Sequence, residues 1–272
     1  MTKIIAEIGW NHMGDIDLAE KMISEAKNSG ADFAKFQTWS VKNLKEGSWD
    51  TDGRRQIYEK AELTHEKHLK LIEICKKYNI DFLTSVFNPN DVEFVSSLIK
   101  SIKIPSSEMN NTELIESIIK YFKPMNDHHI FISTGSSLFT EILNVINIFK
   151  RNEMNFTILH CVSSYPCPFN KCSLDRIKEL KKYHNSIGYS GHCPGIFDAL
   201  ASLEYNIDVV EKHFTIDNDL PGRDNKFAIL PNELKFLCDY NKNRNDLKKL
   251  VSLDYQESEK DNRENYSGRW CN

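Results

Sequence analysis

Eight times along this chain a short apolar or β-branched run gives way to a stretch with helical spacing, and that alternation leaves few folds open. The runs lie at 3–9, 31–37, 81–87, 101–106, 129–134, 156–162, 186–190 and 207–214. Helical periodicity follows at 17–29, 64–78, 91–99, 112–121, 137–151, 173–183, 195–204 and 231–242. In 17–29, Leu18, Met22, Ile23 and Ala26 share one face. In 64–78 the apolar set is Leu69, Leu71, Ile72 and Cys75, with Thr64 and the 67–70 segment on the outer side. Gly30 reads as a helix stop, 170–173 and Pro231-Asn232 as helix starts. Strands that alternate with helices pair in parallel through right-handed crossovers, and eight such units can close on themselves. The expected fold is therefore α/β, a (β/α)8 TIM barrel, and 272 residues suffice for one such core of about 250.

Two segments break the rhythm. The insertion at 40–63, rich in Asp, Gly, Trp and Arg, is expected to be a loop on the barrel rim that covers substrate. The segment 251–272 is polar and has no core pattern. The domain reading is thus a barrel over 1–250 and a tail over 251–272.

Composition removes several classes of function. A net charge of -4 gives no nucleic-acid footprint. The first residues lack an apolar signal core, and no apolar run reaches the length of a membrane span, so a cytoplasmic chain is expected. The seven cysteines (75, 161, 167, 172, 193, 238 and 271) contain no CxxC pair and read as free thiols. Cys75 and Cys161 read as core. Cys167, Cys172 and Cys193 fall on rim loops and read as structural, a further metal ligand being the alternative.

The polar residues of the apolar runs gather where strands become loops. Ser190 and His192 point to one side of their strand, as do Glu211 and His213. On neighbouring parallel strands the two imidazoles converge at the carboxyl rim, where such barrels carry their active sites. They make a two-histidine metal site with open positions, suited to Lewis-acid chemistry on a small substrate. The alternative is two unrelated histidines at strand ends. Lys35 and Lys103 sit inside apolar strands, where an ammonium needs a partner. A salt bridge to Glu7 or Glu108 would satisfy either lysine alone. Two lysines accompanied by Ser106, Ser133 and Ser190 better match a ligand that carries both phosphate and carboxylate.

Five collinear segments then resemble the sialic acid synthase family, which comprises N-acetylneuraminate, legionaminate and pseudaminate synthases. They are Ala6-Glu7-Ile8-Gly9-Trp10-Asn11-His12-Met13-Gly14, Gly30-Ala31-Asp32-Phe33-Ala34-Lys35-Phe36-Gln37-Thr38, Leu159-His160-Cys161-Val162-Ser163-Ser164-Tyr165-Pro166, Gly188-Tyr189-Ser190-Gly191-His192 and Glu211-Lys212-His213-Phe214-Thr215. The resemblance implies condensation of phosphoenolpyruvate with an N-acylated hexosamine, giving phosphate and a nonulosonic 2-keto acid. It implies a divalent metal, Mn2+ before Mg2+ or Co2+, held by His192 and His213. Lys35, Lys103, Ser106, Ser133 and Ser190 would bind phosphoenolpyruvate. Glu7, Gln37, Glu108, Tyr165 and Asp224 would face the sugar or the reacting centre, Asp224 coming from Pro221-Gly222-Arg223-Asp224. Whether Glu7 acts as acid or base stays open.

Departures from the family pattern motivate an alternative, a degenerate barrel that binds a sugar or phosphate without turnover. Gly191 stands where the family usually has Asp before the first metal histidine, which would weaken the orientation of that ligand. Pro105 replaces a glycine and removes a backbone donor near the phosphate. Glu264 through Trp270 resemble the start of the linker to the family's antifreeze-like domain. A homodimer and a separate antifreeze-like protein are therefore candidate partners, alongside phosphoenolpyruvate and an amino sugar. An unrelated metal-dependent barrel hydrolase is the remaining alternative, and the lysine and serine set argues against it.

Overall fold

The computed structural model describes residues 1–48, 51–124 and 127–270. Its strands are β1 (Lys3–Gly9), β2 (Phe33–Thr38), β3 (Asp81–Val86), β4 (Ser101–Ile104), β5 (His129–Ser133), β6 (Phe156–Cys161), β7 (Ile187–Gly191) and β8 (Val209–His213). Each pairs in parallel with the next, and β8 returns to β1, so the sheet is a closed barrel in sequence order. The expected (β/α)8 fold is the observed one. Helices α1 (Ile16–Asn28), α3 (His65–Tyr78), α4 (Val92–Ser96), α5 (Thr112–Phe122), α6 (Phe139–Arg151), α7 (Arg176–Lys181), α8 (Phe197–Leu203) and α9 (Pro231–Leu247) link or follow the strands.

Local chemistry explains where these helices begin. Asp15 and Thr64 accept backbone N–H groups of the first turns of α1 and α3, and Pro231 sits in the first turn of α9. Gly30, at φ +97°, takes the left-handed conformation that follows α1. The expected start at 170–173 lies too early. Phe169–Lys171 is a short 3-10 turn, Ser173 turns through φ +53°, and α7 begins at Arg176.

Two further differences concern the long insertion and α3. The 40–63 segment is more than a loop, for it carries helix α2 (Arg54–Ala61). Trp49 and Asp50 of that segment, and Cys271 of the cysteine set, lie outside the described residues. On α3, Leu69 is exposed and His68 is buried, the reverse of the expected faces. His68 earns its interior place by bonding Thr38 Oγ1 through Nε2 at 2.7 Å and Thr64 O through Nδ1 at 2.9 Å.

The core has two parts. Helix faces pack on the outside of the barrel around Ile4, Met22, Phe36, Leu71, Ile118, Phe149 and their neighbours. Inside the barrel, Ile5, Leu83, Phe131, Leu159 and Val209 form a closed apolar plug. Gly188 belongs to this plug because a Cβ there would lie 2.4 Å from Val209 and 2.5 Å from Leu159. The buried charged groups inside the barrel sit above that plug, while Thr157, bonded to His129 and Ser186, lies below it. Residues 248–270 are solvent-exposed and include helix α10 (Lys260–Asn265). Among the described residues no helix is long and apolar enough to cross a membrane.

Candidate active site

One step up from the plug, the inward positions of four strands are charged. Glu7 of β1, Lys35 of β2, Lys103 of β4 and Glu211 of β8 meet in the middle of the barrel, none more than 5% exposed. Lys35 Nζ donates to Glu7 Oε2 at 2.5 Å and stands 3.7 Å from Glu211 Oε2. Lys103 Nζ donates to Glu211 Oε1 at 2.5 Å and to Ser190 Oγ at 3.3 Å. Ser190 in turn donates to Glu211 Oε1 at 3.0 Å, and Gln37 Nε2 to Glu7 Oε1 at 2.8 Å. Two ammonium groups face two carboxylates, so this floor is close to neutral and still holds spare N–H donors. The salt-bridge alternative for the lysines is thus partly realised, with Glu211 rather than Glu108 as the partner of Lys103.

The two glutamates are not equivalent. Burial raises both, but Lys103 and Lys35 together overrule it at Glu211 and hold that carboxylate down to about 2. At Glu7 burial dominates over Lys35, and the neighbouring Glu211 charge adds to it, so its affinity for a proton rises. Burial also raises Asp224, against the Trp10 Nε1–H that it accepts at 3.1 Å.

A cavity of about 630 Å3 opens above this floor. It is lined by Glu7, Lys35, Gln37, Lys103, Ser106 and Ser133, and on its far side by Tyr165, Ser190, His192, His213 and Asp224. Glu108 is the exception: it lines a neighbouring cleft with Trp39 and Asn111, and accepts from Asn111 Nδ2 at 2.9 Å. Pro105 lines the cavity without closing it. Gly135 keeps the serines together, its N–H donating to Ser106 Oγ at 3.1 Å. A Cβ at residue 135 would lie 2.2 Å from Ser163 Oγ and 2.8 Å from Ser106 Oγ.

His192 and His213 do face one another, with ring centroids 5.4 Å apart, and Tyr165 packs 4.2 Å from His192. His192 Nδ1 donates to Val162 O at 2.9 Å, which leaves Nε2 as the free lone pair. His213 is held neutral by burial first and by His192 second, and its buried Nδ1 has no hydrogen-bond partner; Asp224 Oδ2 is 3.9 Å away. Burial lowers His192, but Cys161 and the Val162 carbonyl raise it overall, so this ring must give up its proton before the pair, His213 being neutral, becomes a donor set that a divalent ion takes. Among the described residues no group of three or more His, Cys, Asp or Glu is arranged to hold a metal. The histidine pair fits an ion whose other positions go to water and substrate.

Several cavity residues escaped the sequence reading. Cys161, read as core, lines the cavity and lies 3.8 Å from His192 Nδ1. Burial would raise this thiol, but the His192 imidazole reverses the shift and lowers it. Its position at the end of β6, two residues after the plug residue Leu159, was the available signal. Ile57 and Tyr58 of α2 form part of the roof beside Arg54, which the insertion offered as a candidate arginine for the sugar. The periodicity of so short a helix is weak inside a charged insertion.

Comparison with known proteins agrees with this geometry. The NeuB family profile matches residues 22–249. The chain is 39% identical over 254 residues to an N,N'-diacetyllegionaminic acid synthase of Campylobacter jejuni, covering 87% of this chain and 74% of that protein. It is 33% identical to an N-acetylneuraminate-9-phosphate synthase of Drosophila melanogaster, covering 86% and 65%. The crystal structure of an N-acetylneuraminic acid synthetase from Leptospira borgpetersenii, in complex with citrate, superposes with a TM-score of 0.83 at 30% identity, covering 97% and 90%. A barrel in strand order, a lysine–glutamate floor and a match across most of the length lead to one conclusion: this chain belongs to the NeuB family.

Proposed function

We propose that this chain is a cytoplasmic synthase that condenses phosphoenolpyruvate with an N-acylated hexosamine, giving a nonulosonic 2-keto acid and phosphate. The observation that carries this reading is the pair of buried lysines beneath two facing histidines. Lys35 and Lys103 would neutralise the phosphate and carboxylate of phosphoenolpyruvate, and Ser106, Ser133 and Ser190 would donate hydroxyls to the same oxygens. Ser133 Oγ, buried and without a hydrogen-bond partner, is free to do so. The sugar would lie above, between Gln37, Tyr165 and Asp224, with Glu108 reaching only a substituent that enters the neighbouring cleft.

The reaction forms a bond from the enol carbon to the aldehyde carbon. The aldehyde oxygen takes up a proton, water adds at C2 and loses one, and the C2–O bond to phosphate breaks. Glu7 and Asp224 both have raised proton affinity, so one can deliver the proton and the other can accept it. The family is generally metal-dependent. A divalent ion on His192 and His213, Mn2+ in this proposal, would polarise the aldehyde oxygen as a Lewis acid.

The test is phosphate release from phosphoenolpyruvate across a panel of N-acylated hexosamines, with Mn2+, with and without a separately expressed antifreeze-like domain. Sugar-dependent phosphate release together with a new 2-keto acid is expected. Binding of phosphoenolpyruvate with no turnover in any arm would sink the synthase reading and favour a binding barrel.

A further inference from the structure

We propose that Lys212 and Asp198 form a buried tie that sets the spacing of His192 and His213, an inference that rests on the metal reading above. The β7–β8 ladder ends at the pairing of Gly191 with Lys212, one residue short of both histidines. Strand alternation sends Glu211 and His213 inward and Lys212 outward, toward α8. There the ammonium donates to Cys193 O at 2.7 Å and to the Asp198 carboxylate oxygens at 3.0 and 3.1 Å. Cys193 follows His192, and Lys212 precedes His213. A single side chain therefore joins the two histidine-bearing strand ends just where the backbone ladder stops.

Asp198 anchors that side chain and is itself fixed by Tyr189, whose hydroxyl donates to Oδ2 at 2.9 Å. Both members of the pair are 2% exposed. Gly191 makes room for them, since a Cβ there would lie 2.4 Å from Asp198 Oδ2. The α8 carboxylate and the Tyr189 ring, 2.6 Å from the same Cβ position, occupy the space that a side chain at residue 191 would fill. The concern raised by Gly191 in the sequence is met by a carboxylate arriving from another element. A buried ion pair adds little to stability over an apolar pair of the same volume. Its geometric effect, holding the Cys193 carbonyl against β8, is what an apolar pair cannot reproduce.

The test titrates metal-free protein with Mn2+, reading free Mn2+ by electron paramagnetic resonance. Thermal melting and metal-free phosphoenolpyruvate binding serve as controls. Lys212→Met combined with Asp198→Leu removes both charges together. It should melt near wild type, bind phosphoenolpyruvate normally and lose about 10- to 100-fold in Mn2+ affinity. Asp198→Asn, which keeps shape and the Tyr189 contact, should show a smaller loss. Wild-type Mn2+ affinity in the charge-free pair overturns the tie; should that pair fail to fold, unchanged affinity in Asp198→Asn does so. A wild-type protein that binds no Mn2+ overturns the histidine reading, and the tie with it.

Discussion

Glu211 holds Lys103 closely and Lys35 more loosely, so the two lysines differ in what their loss would do. Lys103→Met leaves Glu211 with Lys35 and Ser190, and removes one charge-assisted donor from the proposed phosphoenolpyruvate site. Such a donor contributes about 1.5–3 kcal/mol, so binding should weaken about 10- to 150-fold, measured by calorimetry without metal. Unchanged affinity would make the lysine structural and remove the basis for the phosphate site. Gly135→Ala probes the opposite wall. Its Cβ would displace Ser163 and Ser106, and displacement of binding groups by about 1 Å costs on the order of 100-fold in kcat/KM. That loss should appear with an unchanged circular-dichroism spectrum, because residue 135 lies beyond the end of β5. Lys35, Lys103 and the two histidines were legible as residues because charge inside an apolar run is conspicuous. Asp198 was not. It sits in a helix whose sequence shows no sign of facing a lysine fourteen positions later.

Strands were the most legible elements, since a run of five to eight residues with turn signals on both sides leaves little freedom of assignment. Helices were read well where a cap is encoded, as at Asp15 and Thr64, and less well at α7, where Ser173 in a left-handed turn delays the start. Element α2 was hidden because its role is tertiary. Tyr58 sits edge-on to both Trp10, at 5.8 Å, and Trp39, at 6.0 Å, and Trp10 bonds Asp224. Tyr58→Ala should therefore loosen the roof and the Asp224 carboxyl together. Removing a packed aromatic pair interaction costs about 0.5–1.5 kcal/mol beyond lost area. The expected result is a KM for the sugar raised several-fold, with phosphoenolpyruvate affinity unchanged. A variant that weakens both substrates equally would show that α2 supports the whole cavity instead.

For the molecule as a whole, acid is the condition that should separate folded from unfolded chains. His12 and His160 are buried, and burial lowers each from 6.5 to about 4. The unfolded chain protonates them near 6.5, while the folded protein resists until about 4. Stability is therefore complete above pH 6.5 and falls as pH drops from 6.5 toward 4, by up to roughly 3 kcal/mol for each histidine. Denaturant midpoints measured across this window should decline, and His160→Gln should flatten the decline. A slope that His160→Gln leaves unaltered would place the proton uptake elsewhere.

Barrel closure has a consequence for the order of events on the ribosome. The counter-charge of Lys103 is on β8, whereas Lys103 itself is on β4, and the open edge of β1 also waits for β8. At synthesis rates of about 5–20 residues per second, the roughly 200 residues between β1 and β8 take about 10–40 s to emerge. Once β4 has emerged, a sheet that settles before the further 108 residues to Glu211 arrive would have to bury Lys103 without it, at several kcal/mol. The last strand removes that penalty and seals the exposed edge in the same step, so the charged floor also discourages the growing chain from settling before it is complete.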